Sequence, residues 1–145
     1  MARAQESITI NRPIEAVYAY VADVHALPDW ASNAVEVKDA PAGALTEGAT
    51  YTTIARLLGR RLEIHYRVTR CEPGRRLVQL ATGGPVPHTV VYTFSSAGAV
   101  TRVTQVIEGE PGGFFTLAAP LVVAAASRQM ATNLAQLKDR LEAQE

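Results

Sequence analysis

Leu62-Glu63-Ile64-His65-Tyr66-Arg67-Val68-Thr69 alternates apolar and polar side chains without a break. Successive side chains of a strand point to opposite faces, so this stretch predicts a strand with a dry face (Leu62, Ile64, Tyr66, Val68) and a wet one. A strand wet on one side belongs to an antiparallel sheet, because parallel sheets are covered on both. Gly59-Arg60 before it and Pro73-Gly74 after it read as turns. Upstream, Gly48 opens a strand with Tyr51, Thr53, Ala55 and Leu57 on one face, and Val35 and Val37 begin another that ends at Pro41-Ala42-Gly43. Downstream, Leu77 to Ala81 is a strand closed by Gly83-Gly84-Pro85. Val90, Tyr92 and Phe94 share a face of the next, Ala97-Gly98 turns, and Val103, Gln105 and Ile107 share a face of the last.

The period changes at both ends of this region. Ser7 to Ile10 predicts a short strand stopped by Asn11-Arg12-Pro13. Pro13 suits the first helical position, with Asn11 or Arg12 as the boundary. Ile14, Val17, Tyr18 and Val21 then mark an amphipathic helix. Asp23 to Ala31 reads as a second short helix or turn, broken by Pro28. Beyond Pro111-Gly112-Gly113 one long helix runs to about Leu141. Met130, Leu134, Leu137 and Leu141 form its stripe, and Ala119 and Val123 extend it backwards. Phe114, Leu117, Leu121 and Ala125 form a second apolar stripe. A helix apolar all round is buried or covers something apolar.

These elements predict one α+β domain over residues 1–145, with about seven antiparallel strands and two short helices after the first. Only the C-terminal helix is long enough to cover the dry face. Hydrophobic residues make 48% and charged residues 19% of the chain, which is a globular balance. Lys+Arg and Asp+Glu are 14 each, so bulk charge draws the protein neither to nucleic acid nor to anionic membranes. The lone Cys71 rules out an intrachain disulfide and suits a reducing compartment. The N-terminus lacks an apolar signal core, and the run Phe114 to Ala126 falls short of the ~20 residues that span a bilayer. A cytoplasmic protein without a membrane span is expected.

No standard catalytic constellation emerges. His25, His65 and His88 sit at no metal-ligand spacing, so no metal is expected. Glu63 and His65 share the wet face. Cys71 reads as strand-end packing and Ser95-Ser96 as turn chemistry. Neither Gly83-Gly84 nor Gly112-Gly113 has the sequence of a phosphate loop, and no cofactor is expected. Arg60-Arg61 and Arg75-Arg76 end hairpins, where they serve solubility or guide an anionic headgroup or carrier protein. Tyr51, Tyr66 and Tyr92 fall on dry faces and need partners for their hydroxyls, either within a packed core or on a cavity ligand. Gln105 on a dry face is costly unless its amide is hydrogen-bonded. Trp30 is a lid or a staple for the short helices.

Ile8-x-Ile10, Arg12-Pro13-x-Glu15-x-Val17-Tyr18, Val21-x-Asp23, Pro28-x-Trp30, Gly48, Val68-x-x-x-Glu72-Pro73, Thr101-Arg102-Val103-Thr104 and Leu134-x-x-Leu137-Lys138-x-x-Leu141-Glu142 span nearly the whole chain. In these the sequence resembles the START-like (SRPBCC) helix-grip superfamily, and within it the polyketide cyclase/dehydrase and coenzyme-Q-binding-like group. The resemblance implies a curved sheet wrapped around the last helix, with a cavity between them. Carried over position by position, Tyr51, Tyr66, Tyr92, Phe94, Val103 and Gln105 would line it. Trp30 would stand near its mouth, Ala119 and Val123 would form the helical wall, and Met130 would lie deeper.

Three functions follow as expectations. The first is binding of a small hydrophobic molecule: a polyketide, quinone or lipid-like compound. The second is an aromatase/cyclase or dehydratase acting on a carbonyl-rich substrate, which needs a titratable group facing the cavity; a register shifted by one would supply His88 or Glu108. The third is a partner-binding module or homodimer built on the apolar residues between Phe114 and Ala126.

Overall fold

The computed structural model describes residues 2–57, 59–84, 86–109 and 119–144. Seven strands form one sheet: β1 (Ala2–Ile10), β2 (Ala34–Lys38), β3 (Thr50–Leu57), β4 (Arg60–Glu72), β5 (Arg76–Gly83), β6 (His88–Ala97) and β7 (Val100–Gly109). Their order is β1-β7-β6-β5-β4-β3-β2, and every neighbouring pair is antiparallel. The chain begins at one edge, crosses to the other through two short helices, and returns strand by strand until β7 meets β1. β1 is longer than its alternation suggests. It pairs with β7 from Ala2↔Gly109 to Ile10↔Thr101, so the ladder rather than side-chain pattern sets its length.

α1 (Ile14–Ala22) buries Val17, Tyr18, Val21 and Ala22. Pro13 precedes it in extended conformation, φ −63° and ψ 151°, and is the boundary residue rather than the first helical one. A 3-10 turn at Val24–Ala26 leads into α2 (Leu27–Trp30). Pro28 does not break this segment. It occupies the first turn, where its missing N–H would have had no helical acceptor.

α3 (Ala119–Glu142) packs chiefly along β1. Met130, Leu134, Leu137 and Leu141 are buried, as the stripe predicts, and Val122 joins them. Polar ties fix the last turns: Lys138 Nζ donates to the Thr9 carbonyl at 3.1 Å, and Arg12 to those of Leu141 and Gln144. In mid-helix, buried Asn133 accepts from the Ser32 backbone N–H at 3.0 Å and donates to Asn33 Oδ1 at 2.9 Å. The loop between α2 and β2 is thereby pinned to α3.

The main core joins α1, α2 and the C-terminal half of α3 to the sheet, through Ile10, Val17, Leu77, Val103, Leu137 and others. A smaller cluster of Ala55, Leu62, Ile64 and Val122 lies apart from it. Of the second stripe, Leu121 is 65% exposed, and Phe114 and Leu117 lie outside the described residues. Among the described residues no helix is long and apolar enough to cross a membrane.

Candidate functional site

Between these two apolar clusters lies a cavity of about 220 Å³, walled by members of both. It exceeds the ~150 Å³ that admits benzene in an engineered protein core. Its wall is mostly apolar: Val90, Ile107, Ala55, Val123, Ala126 and Met130 contribute from strands and α3.

The sheet is bent where its registers slip. β5 carries one unmatched residue opposite His65 and Tyr66, and β4 one between Val68 and Arg70. Such bulges bend the strand and deepen its twist. The second also reverses the facing of β4, so Val68 and Cys71 both turn inward. Cys71 Sγ lies 2.9 Å from the Tyr18 hydroxyl and 3.5 Å from the Leu45 carbonyl. That is the packing role expected of it.

Of the expected cavity residues, Trp30, Tyr51, Tyr66, Tyr92, Gln105 and Val123 line the wall. Ala119 belongs to α3, but its side chain is not among those described. Phe94 and Val103 do not line the cavity. Phe94 packs edge-on against Tyr18 with ring centroids 5.1 Å apart, and Val103 is wholly buried in the main core. The dry faces of β6 and β7 are read correctly, but α1 covers the end of those faces that holds Phe94 and Val103. Trp30 is no lid at the mouth: it is 1% exposed and belongs to the core that holds α2 to the sheet.

Six polar residues of the wall form three pairs. The Tyr51 hydroxyl donates to Gln79 Oε1, Gln105 Nε2 donates to the Tyr92 hydroxyl at 3.1 Å, and Tyr66 meets His88 Nε2 at 2.8 Å. Tyr51 and Tyr66 stack with centroids 5.4 Å apart. Burial pushes all three tyrosines above their usual range, so each remains a neutral hydroxyl. The sequence singles out neither Gln79 nor, without a shifted register, His88 for this wall.

His88 settles its own tautomer. Its Nδ1 lies 2.7 Å from the Val86 carbonyl, which can only accept, so Nδ1 carries the proton. Nε2 is then a lone pair, and the Tyr66 O–H donates to it. Burial lowers the His88 pKa, against the hydrogen bond that Nδ1 donates to the Val86 carbonyl, and keeps the ring neutral near pH 7. No register shift is needed to bring it inside: β6 starts at His88, which shares parity with Val90, Tyr92 and Phe94. Glu108 points the other way, 43% exposed and 3.8 Å from Arg3. On the wet face Glu63 and His65 pair at 3.4 Å, both about half exposed. No group of acidic, His and Cys side chains suited to a metal occurs among the described residues.

Residues 1–142 match the model of a family described as polyketide cyclase / dehydrase and lipid transport. No curated protein sequence matches the chain. Among solved structures, a protein from Thermus thermophilus is similar, with 17% identity over 97% of each chain and a TM-score of 0.84. A START superfamily protein from Mycobacterium smegmatis shares 14% identity over 98% of each chain, with a TM-score of 0.79. The Zhui aromatase/cyclase from Streptomyces sp. R1128 shares 15% identity over 97% of this chain and 93% of its own, with a TM-score of 0.77. At these identities the likeness is one of fold.

Proposed function

The chain belongs to the polyketide cyclase / dehydrase and lipid transport family, and from that membership we propose that it binds a small, largely apolar molecule in the cavity between the sheet and α3. The observation that carries this reading is the cavity itself. Its wall is mostly apolar, yet tyrosines, glutamine amides and an imidazole are set into it at fixed places. Apolar walls supply affinity and a few placed polar groups supply orientation. Titration calorimetry with naphthalene as probe tests the reading, beside native mass spectrometry of freshly purified protein for a co-purifying small molecule. Saturable one-to-one uptake is expected. A chain that takes up no naphthalene and carries no small molecule overturns it.

A second reading, a cyclase or dehydratase acting on a carbonyl-rich substrate, is favoured by the Tyr66–His88 pair. A methylene between two carbonyls would give its proton to the Tyr66 oxygen as Tyr66 passes its own to His88 Nε2. The carbanion then attacks a second carbonyl of the same chain, and the alkoxide takes a proton back along the same path. The protein contributes proximity and a positioned base. Deuterium exchange into the central methylene of acetylacetone in D2O, followed by NMR, is the test. Catalysis above buffer that is abolished in Tyr66→Phe and His88→Gln is expected; an unaltered rate in both variants removes this reading.

A further inference from the structure

Of the two hydrogen bonds that hold the His88 ring, one survives protonation and one does not. Nδ1 donates to the Val86 carbonyl at 2.7 Å in either state. Nε2 accepts from the Tyr66 hydroxyl at 2.8 Å, which requires its lone pair. A proton on Nε2 forces that hydroxyl to turn and accept, and its own hydrogen then loses its only bonded partner among the described residues. The Tyr66 ring is held where it is, stacked on Tyr51 and edge-on to His88 with centroids 5.5 Å apart.

No neighbouring element compensates the charge of an imidazolium here. β7 sets Gly109, which has no side chain, opposite His88, and Glu108 points to the outer face beside Arg3. From β4 and β3 come Tyr66 and Tyr51, while Glu63 and His65 lie on the outer face. β5 adds the neutral Gln79, and α3 adds Val122, Val123 and Ala126. Glu6 of β1 stands opposite Gln105, level with Tyr92 rather than His88, and accepts from Ser127 at 3.0 Å. The charged residues that border the cavity are cations, Arg3 and Arg56, and no carboxylate lines it among the described residues. His88 is only partly buried, so the free chain can hydrate an imidazolium from the cavity side. An apolar occupant removes that water and brings no charge in return.

We infer that His88 and Tyr66 form an acid-sensitive latch: the cavity holds its apolar ligand while the imidazole is neutral and lets it go as the imidazole is protonated. This rests on the binding reading above and adds its regulation. The sign follows from linkage. Occupancy favours the neutral ring, so it moves the His88 titration to lower pH. Reciprocally, affinity is full above the midpoint of the free chain and falls as pH drops through it. Burial already lowers the His88 pKa from 6.5, so the window lies below that value.

The test follows the three histidine rings by NMR during an acid titration of the full chain, free and saturated with naphthalene, which has no titratable group. Naphthalene is expected to lower the His88 midpoint by about 0.7 pH unit or more, a coupling of about fivefold. His25 and His65 lie outside the cavity wall and should keep their midpoints. Calorimetry should show the naphthalene dissociation constant rising about threefold or more between about pH 7.5 and about one pH unit below the free His88 midpoint. In His88→Gln that rise is expected to disappear. A His88 midpoint that naphthalene leaves in place overturns the inference, as does a shift shared by all three histidines or an equal rise in the variant. The ring titration needs only the unmodified protein. If naphthalene binds near pH 7.5 and the His88 midpoint stays, only the latch falls; if naphthalene does not bind there, the cavity reading falls with it.

Discussion

His88 shows how much one position can carry. Parity along β6 puts it on the face of Val90 and Tyr92, but the strand reads clearly only from Val90 onward, so its facing is easily missed. Its environment predicts a pH dependence. Burial lowers its pKa from 6.5 in the folded chain, so just below pH 6.5 the unfolded chain holds more protons. Stability therefore rises with pH through that window and is lost on acidification. Between pH 7 and pH 5 the wild type is expected to lose more melting temperature than His88→Gln. Equal losses in thermal melts would mean that the imidazole is not held neutral. Tyr66→Phe keeps the ring stacked on Tyr51 and removes only the hydroxyl bonded to His88, so it should cost about 1 kcal/mol in urea unfolding.

Among the elements, α3 is where periodicity and packing agree. Leu137 is fully buried among α1, β1 and the sheet, so Leu137→Ala should cost ~2–5 kcal/mol in urea unfolding. Asn133 has no counterpart in the apolar stripe. It is buried because it satisfies the backbone and side chains of the α2–β2 loop, an arrangement that no local pattern announces. Asn133→Ala leaves the Ser32 N–H unmatched and should destabilise the fold by about 1–3 kcal/mol in the same assay.

Across the molecule as a whole, sheet and helix fail to fill the space between them. Ala126 faces that space from α3, and Ala126→Phe should fill it. Such a substitution is expected to keep or raise the melting temperature while abolishing naphthalene uptake. Unchanged uptake would place the binding elsewhere.

Local chemistry that repeats is legible in the chain alone: the alternation that gives each strand a wet and a dry face, the Gly and Pro turns between strands, and the stripe of α3. These signals have periods of two and 3.6 residues, so each is complete within one element. Which part of a dry face meets solid core and which meets the cavity was set only by the assembled fold. Phe94 and Tyr92 belong to one strand face, as do Val103 and Gln105, yet the first of each pair is packed in the core and the second lines the cavity wall. The reason is geometric. The border between core and cavity runs across the strands, where α1, α2 and α3 come to rest and where the bulges between β4 and β5 bend the sheet, and those positions depend on residues far apart in the chain.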